Sequence, residues 1–376
     1  EKNPIKITQI YDLEKVTPLF RILSCVIFGK KGSNTKYPVL RYDVHGKLPT
    51  SNSNLTNAKS FLKFPKSEYA PAKRETSKSF YYEKFSQGAQ IIPRCFWFVD
   101  IIVDRFLGFN PENPLVESSE NRDAKSPWDK IKLNGNIEKQ FLATSLISKD
   151  IVPFGNLARR MIAVPLLFND DIKLLSSCNQ KEIIGTSFSK YLEKAELNWN
   201  KYAPIKSRKN MTIYDRIDYQ KDLTSQNPFH GYTVLYVKSA TNLASCVVTN
   251  NEKYSFLINE VKFEIQSFFS DATTYFYTTN SKEEAYYLCS IFNSKTLNEK
   301  IKPYQSRGAF GGARDIHKLP VSFNIPKYDP RIRDHKELVD IGIQCSKKVK
   351  QHLPDKIKSS GPLRGKIRVV LENELS

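Results

Sequence analysis

The sequence lacks most of the features that would announce a function. No apolar run reaches the roughly 18–20 residues that span a bilayer. The longest candidate, residues 18–29, is interrupted by Arg21 and reads as a buried strand. No charged segment followed by a short apolar stretch opens the chain, so no secretory leader is expected. It begins Glu1-Lys2-Asn3-Pro4, without Met, a start expected of a fragment or processed chain. The expected partners therefore include no membrane, and the expected location is cytoplasmic.

Closely spaced metal ligands are missing as well. The six cysteines stand at 25, 95, 178, 246, 289 and 345, never two to four residues apart. That excludes zinc ribbons and Cys-x-x-Cys redox pairs. Apolar neighbours such as Phe96 and Leu288 point to reduced, buried thiols. Five histidines, at 45, 230, 317, 335 and 352, have no metal-ligand spacing. No Gly-x-Ser-x-Gly elbow, no phosphate-binding P-loop and no repeat of 20–50 residues is present.

What the chain has in excess is positive charge. Fifty-eight Lys plus Arg stand against 39 Asp plus Glu, a net +19, with 12% aromatic residues. This balance suits a polyanionic partner, most often nucleic acid. A length of 376 residues exceeds what one core serves, so two or three units are expected.

Apolar spacing gives a coarse order of elements. Residues 5–29 read as a strand or short helix leading into a buried strand, and 46–60 as a polar loop. A strong strand is expected at 91–103, followed by a polar break at 110–127. A strand pair is expected around 161–168, then a helix through Tyr191, Leu192, Ala195, Leu197 and Trp199 that ends before Pro204. Lys206-Ser207-Arg208-Lys209 reads as a surface loop. Four strands are expected near 232–237, 244–248, 254–257 and 273–277. A helix over 281–292 has Ser281 as its N-cap and Glu283 and Glu284 in its first turn. A basic glycine loop and a proline-bounded strand precede a helix over 334–352, with Leu338, Ile341, Cys345 and Val349 on one face. The tail from 354 reads as mobile until 367–371. Strands and helices without βαβ regularity make the fold class α+β, mixed sheets with peripheral helices in two to three lobes forming a DNA-reading cleft. The expected division is 1–125, a first recognition lobe; 126–205, a connecting segment; 206–353, a second lobe; and 354–376, a tail.

Two segments combine cations with conformational freedom or rings. In Tyr304-Gln305-Ser306-Arg307-Gly308-Ala309-Phe310-Gly311-Gly312-Ala313-Arg314-Asp315-Ile316-His317-Lys318, Gly308, Gly311 and Gly312 permit close backbone approach. Arg307, Arg314, His317 and Lys318 supply donors for phosphate oxygens or guanine edges. A plain glycine turn on a basic surface fits the same spacing. From Lys78 to Phe98, Phe80, Tyr81, Tyr82, Lys84 and Phe85 precede Pro93-Arg94-Cys95-Phe96-Trp97-Phe98. Such rings could stack on bases, although Trp97 reads as core, while Lys84 and Arg94 are freer to reach solvent. Glu260-Val261-Lys262 matches half of a metal-dependent nuclease site, but no Pro-Asp precedes it, and the structural reading is preferred.

Taken in order, several blocks resemble adenine-N6 DNA methyltransferases of restriction–modification systems. They are Tyr82-Glu83-Lys84-Phe85-Ser86-Gln87-Gly88-Ala89-Gln90-Ile91-Ile92-Pro93-Arg94-Cys95-Phe96-Trp97-Phe98-Val99 and Ser148-Lys149-Asp150-Ile151-Val152-Pro153-Phe154. Next come Thr274-Tyr275-Phe276, Glu284-Ala285-Tyr286-Tyr287-Leu288 and Asn293-Ser294. Gly311-Gly312-Ala313-Arg314-Asp315-Ile316-His317-Lys318, Ile325-Pro326-Lys327-Tyr328-Asp329-Pro330 and His335 complete the series. The resemblance implies a region that reads duplex DNA and presents a flipped adenine. The family's Asn/Asp-Pro-Pro-Tyr/Phe motif is missing; Asn227-Pro228-Phe229-His230 and Asn110-Pro111-Glu112-Asn113 only approach it. Nor is a glycine-rich loop for the methyl donor recognisable.

The expectation is thus a target-recognition region without catalytic residues, cofactor or metal of its own. Its expected partners are double-stranded DNA and a methyltransferase catalytic domain or subunit, the latter holding S-adenosylmethionine. Expected DNA contacts are Arg307, Gly308, Gly311, Gly312, Arg314, His317 and Lys318, with Arg94 and Lys84 from the other lobe. The alternatives are a metal-dependent nuclease using Glu260 and Lys262, or a basic scaffold for RNA or an acidic protein.

Overall fold

The computed structural model describes residues 4–20, 24–71, 78–106, 108–119, 124–168, 172–175, 185–306, 314–353 and 360–372. Arg307, Gly308, Gly311, Gly312 and Cys178 lie outside the described residues. The architecture is α+β, with several small sheets and helices at their margins. It divides into two compact units, one of residues 1–77 with 304–315, the other of 78–303 with 316–376.

The first unit is a five-stranded sheet. Strand β1 (Ile5–Thr17) pairs antiparallel with β2 (Cys25–Lys31) and parallel with β3 (Val39–Lys47). Helix α1 (Leu55–Phe61) follows, and β4 (Leu62–Lys63) and β5 (Lys66–Tyr69) return onto β3. Asn54 caps α1 by accepting from the Asn57 amide at 2.9 Å, satisfying a donor that the helix itself cannot. A helix therefore occupies part of the loop expected at 46–60. The small core is Val16, Val44, Leu48 and Ala58, flanked by Tyr11, Leu13, Leu19, Tyr42 and Leu62. Burial corrects the reading of 18–29: Cys25–Lys31 is a strand, but every residue in it is exposed, Cys25 included. An apolar run makes an edge strand as readily as a buried one, because composition does not say whether anything covers it.

The second unit holds the main core. The Leu142–Leu146 strand is buried along its whole length, between Arg160–Ala163 and Phe268–Ser270. Burial on both faces removes the apolar–polar alternation of a one-sided strand, and buried Thr144 donates its hydroxyl to the Ser267 carbonyl at 2.8 Å. A second sheet runs Ser245–Thr249, Tyr232–Val237, Thr274–Thr279 and Ser86–Gln87 in space. A third joins Val99–Ile101, Leu115–Ser118 and Asn134–Asn136, so strand pairing crosses residue 125.

Helical periodicity is obeyed where it is strongest. Ser187–Tyr202 buries Phe188, Tyr191, Leu192, Ala195 and Trp199, while Leu197 faces solvent. Each large side chain so buried contributes about 1.5–3 kcal/mol. Their polar tips are satisfied: the Tyr191 hydroxyl donates to the Phe96 carbonyl at 2.9 Å and the Trp199 indole to the Met211 carbonyl at 3.0 Å. The Lys282–Asn293 helix has Ser281 as its N-cap, accepting from the Glu284 amide at 3.0 Å. It packs against the Arg333–His352 helix where Gly342 allows close approach. A Cβ there would lie 2.6 Å from Ser290 Oγ and 2.7 Å from the Tyr286 carbonyl oxygen.

Four further expectations change. Residues 91–103 hold a short helix, Arg94–Trp97, before the Val99–Ile101 strand. Pro93, with φ fixed at −63°, starts that turn, and all-round burial of Cys95, Phe96 and Trp97 removes the alternation a strand would show. The 206–209 segment lies in a helix, Ile205–Asn210. Among the described residues no strand follows the glycine loop; Pro320–Ser322 is a single 3-10 turn. In the tail, Ser360–Val370 is helical. No helix among the described residues is long and apolar enough to cross a membrane.

Candidate nucleic-acid interface

In the second unit, the turn over residues 79–84 gathers cations from distant parts of the sequence. Lys84 Nζ lies 4.8 Å from the Phe80 ring centroid and 5.8 Å from that of Tyr277. Lys327 Nζ approaches Phe80 from elsewhere, at 5.2 Å. Lys78 and Lys318 both stand over Tyr82, at 4.0 and 5.0 Å. The ring faces attract each ammonium by about 0.5–1 kcal/mol at exposed sites, fixing it without neutralising it. Two lysines thus stand over each of Phe80 and Tyr82, rings of one turn, and Phe80 remains 46% exposed. Glu83 is an acid at its margin, 3.5 Å from Lys78, in a largely exposed pair.

The turn is held from beneath by a carboxylate. Glu284, from the first turn of the Lys282–Asn293 helix, accepts from the Tyr81 hydroxyl at 2.9 Å and from the Tyr277 hydroxyl at 3.3 Å. Thr279 donates to the same carboxylate. The Tyr81 oxygen in turn accepts from the Tyr328 amide at 2.9 Å. Burial, and then the nearby Glu284 charge, push both phenols above their ordinary range, so both remain donors.

His317 and Lys318 lie at the end of the interior strand Tyr232–Val237, beside this surface. The Ile316 and His317 amides both donate to the Lys238 carbonyl at 3.0 Å, and the Tyr236 hydroxyl donates to the His317 carbonyl at 2.9 Å. These bonds hold His317 at φ 44°, a left-handed conformation costly for a residue with a Cβ. Its exposed ring meets Tyr275 edge-on at 6.5 Å. Lys318 Nζ donates to the Tyr82 carbonyl at 3.1 Å, and Lys238 Nζ donates to Gln87 Oε1 at 2.9 Å.

The fold therefore brings Lys84 and Lys318 together. Arg314 is exposed and belongs to the first unit, where its amide donates to the Ser306 carbonyl at 2.9 Å. Arg94, the first residue of its short helix, turns to an internal partner. Its Nη2 lies 3.4 Å from Oδ1 of buried Asp271, and its guanidinium lies 5.3 Å from the Phe98 ring. Burial pushes the Asp271 carboxyl up, and Arg94 opposes that shift. Lys238, Lys327 and the Tyr277 ring stand among these groups, and the sequence did not single them out as candidate contacts. The available signals were a lysine ending an apolar strand, one flanked by proline and tyrosine, and the alternation of Tyr275 with Tyr277.

The nuclease alternative finds little geometry. Glu260 sits in a two-residue hairpin turn at φ 68°, between Tyr254–Ile258 and Val261–Ile265. Lys262 Nζ pairs with Glu264 at 2.5 Å. Among the described residues, no three His, Cys, Asp or Glu side chains are grouped to hold a metal. The two near-matches to a methyltransferase motif are turns. Asn110 Oδ1 accepts from the Glu112 amide at 3.0 Å, and Phe229 packs edge-on against Phe168 at 5.0 Å.

No protein-family model matches the chain, and no curated protein matches it in sequence. In solved structures it is similar, at a TM-score of 0.46 and 10% identity, to the type IIL restriction–modification enzyme MmeI in complex with DNA. That comparison covers 99% of this chain and 42% of MmeI. The type IIG restriction endonuclease BpuSI is similar at a TM-score of 0.33 and 10% identity, over 98% of this chain and 43% of that enzyme. The chain spans less than half the length of either.

Proposed function

We propose that this chain is a duplex DNA-recognition module that positions a target adenine for a methyltransferase domain outside it. The observation that carries this reading is the cluster of Lys78, Lys84, Lys318 and Lys327 around the rings of Phe80, Tyr82 and Tyr277. Those cations draw phosphates, and phosphate contacts set register before any base is read. His317, beside that cluster, and Arg314, in the other unit, are each proposed to contact phosphates or base edges. The blocks that resemble adenine-N6 methyltransferases make adenine the target, and the partner domain would supply S-adenosylmethionine.

Titration of a labelled duplex against the protein over a salt series tests this reading. With six to ten phosphates contacted, the log–log slope of affinity on salt should be roughly −5 to −9. A slope near zero overturns the proposal. Arg314→Ala should cost about 1–3 kcal/mol on the cognate sequence if Arg314 reads guanine with two bonds. Equal loss on every sequence would make it a phosphate contact instead.

A further inference from the structure

The sheet of the first unit carries its own aromatic face. Tyr11 lies opposite Val26 on β2 and Tyr42 on β3, and Phe28 follows Val26 by two residues. Side chains alternate along a strand, so Phe28, Tyr11 and Tyr42 leave one face on three neighbouring strands. Tyr11 and Tyr42 are stacked at 4.7 Å, while Phe28 and Phe64 meet Tyr11 edge-on at 5.6 and 6.5 Å. The small core around Val44 and Ala58 covers one end of this face. At the other end Phe28 is 48% and Phe64 40% exposed, and Val26 and Leu40 are exposed beside them.

Charge decides what such a face suits. The register that sets Phe28 on it also sets Lys30 and its partner Lys6 there, and Lys66 lies opposite Tyr42. All three lysines are exposed, and Glu68 is an acid on the same face. Across residues 1–77 the sequence has fourteen Lys plus Arg against six Asp plus Glu. An apolar partner would leave these ammonium groups without counter-charge, whereas a strand of nucleotides supplies bases for the rings and phosphates for the lysines.

We propose that this face is a stacking platform for unpaired bases of single-stranded DNA, with Lys6, Lys30 and Lys66 contacting its phosphates. The inference deepens the DNA-binding reading and takes DNA as the polyanion from it. The test compares a labelled oligo-dT with a labelled duplex of equal length, on the full chain. Phe28→Ala should weaken oligo-dT binding about fivefold or more, the loss of one stacked base. It should leave duplex binding unchanged, and Phe28→Trp should restore oligo-dT affinity. Phe64→Ala provides a second exposed position, with melting temperature as the check on folding. Oligo-dT affinity unaltered in both variants overturns the platform, as does duplex binding without oligo-dT binding. Failure to bind either nucleic acid would remove the DNA reading as a whole.

Discussion

The Lys318 ammonium stands 5.0 Å from the Tyr82 ring centroid while donating to the same residue's carbonyl oxygen at 3.1 Å. One residue thus fixes the cation twice, and ring attraction leaves its charge unneutralised. Lys318→Ala and Lys84→Ala are each expected to weaken duplex binding about equally on all sequences. Each should also flatten the salt slope by about one unit, as loss of a single phosphate contact does. Anisotropy titrations over a salt series, with melting curves as control, check this. A loss confined to one DNA sequence would make these lysines base readers.

Glu284 is expected to govern the shape of that surface without touching DNA. Its carboxylate accepts from Tyr81, Tyr277 and Thr279. Glu284→Ala removes the acceptor of those hydroxyl donors and should lower stability by about 1–3 kcal/mol. It should also weaken duplex binding, because the Tyr277 ring under Lys84 is no longer fixed. Chemical denaturation and binding, measured on the same variant, separate the two effects. Full stability in Glu284→Ala would show the hydrogen bonds to be dispensable.

Arg94 and Asp271 make a prediction with a pH signature. Burial raises the Asp271 carboxyl and Arg94 holds it down. Without Arg94 the carboxyl rises further, and its ionised form stays buried without a counter-charge. Arg94→Ala should therefore destabilise by about 3 kcal/mol at neutral pH, the lower end for a broken buried pair because Arg94 is partly exposed. A carboxyl raised in the folded state costs stability as pH climbs through its folded pKa. The deficit should thus shrink as pH falls and Asp271 takes up a proton. Melting temperatures between pH 5 and 8 decide this. An unchanged melting temperature with weaker DNA binding would make Arg94 a DNA contact.

The cysteines should divide into one reactive thiol and four inert ones among the described residues. Cys25 is exposed; Cys95, Cys246, Cys289 and Cys345 are buried. Burial pushes Cys95 and Cys246 up to about 12, and raises Cys289 and Cys345. In a Cys178→Ser background, one thiol should react with a disulfide reagent at pH 8 before unfolding. For Cys95 and Cys246 the unfolded chain releases the proton near 9 and the folded chain only near 12. The stability these thiols contribute should therefore be present below 9 and fall as pH rises through that window. Rapid reaction of a second thiol at pH 8 would contradict the burial.

Where local signals agreed with one another, the sequence sufficed. Ser281 with Glu283 and Glu284 set the start of one helix, and the spacing from Tyr191 to Trp199 set the face of another. The strand Tyr232–Val237 was legible in its β-branched and aromatic run. Where a short apolar run stood alone, it was not enough. Residues 94–97 became a helix and 25–31 an uncovered strand, because neither outcome is encoded by local alternation.

By itself, then, the sequence determined the α+β class, the excess of +19, and the presence of Lys84 and Lys318 among candidate contacts. Only the tertiary structure decided which cations meet. Lys78, Lys318 and Lys327 reach Phe80 and Tyr82 although the last two lie more than two hundred positions along the chain. It turned Arg94 inward to Asp271, although Arg94 was expected to be freer to reach solvent. The physical reason is that a charge finds its partner through space. For Lys318, Lys327 and Arg94, long-range packing supplies that neighbour, and spacing along the chain does not.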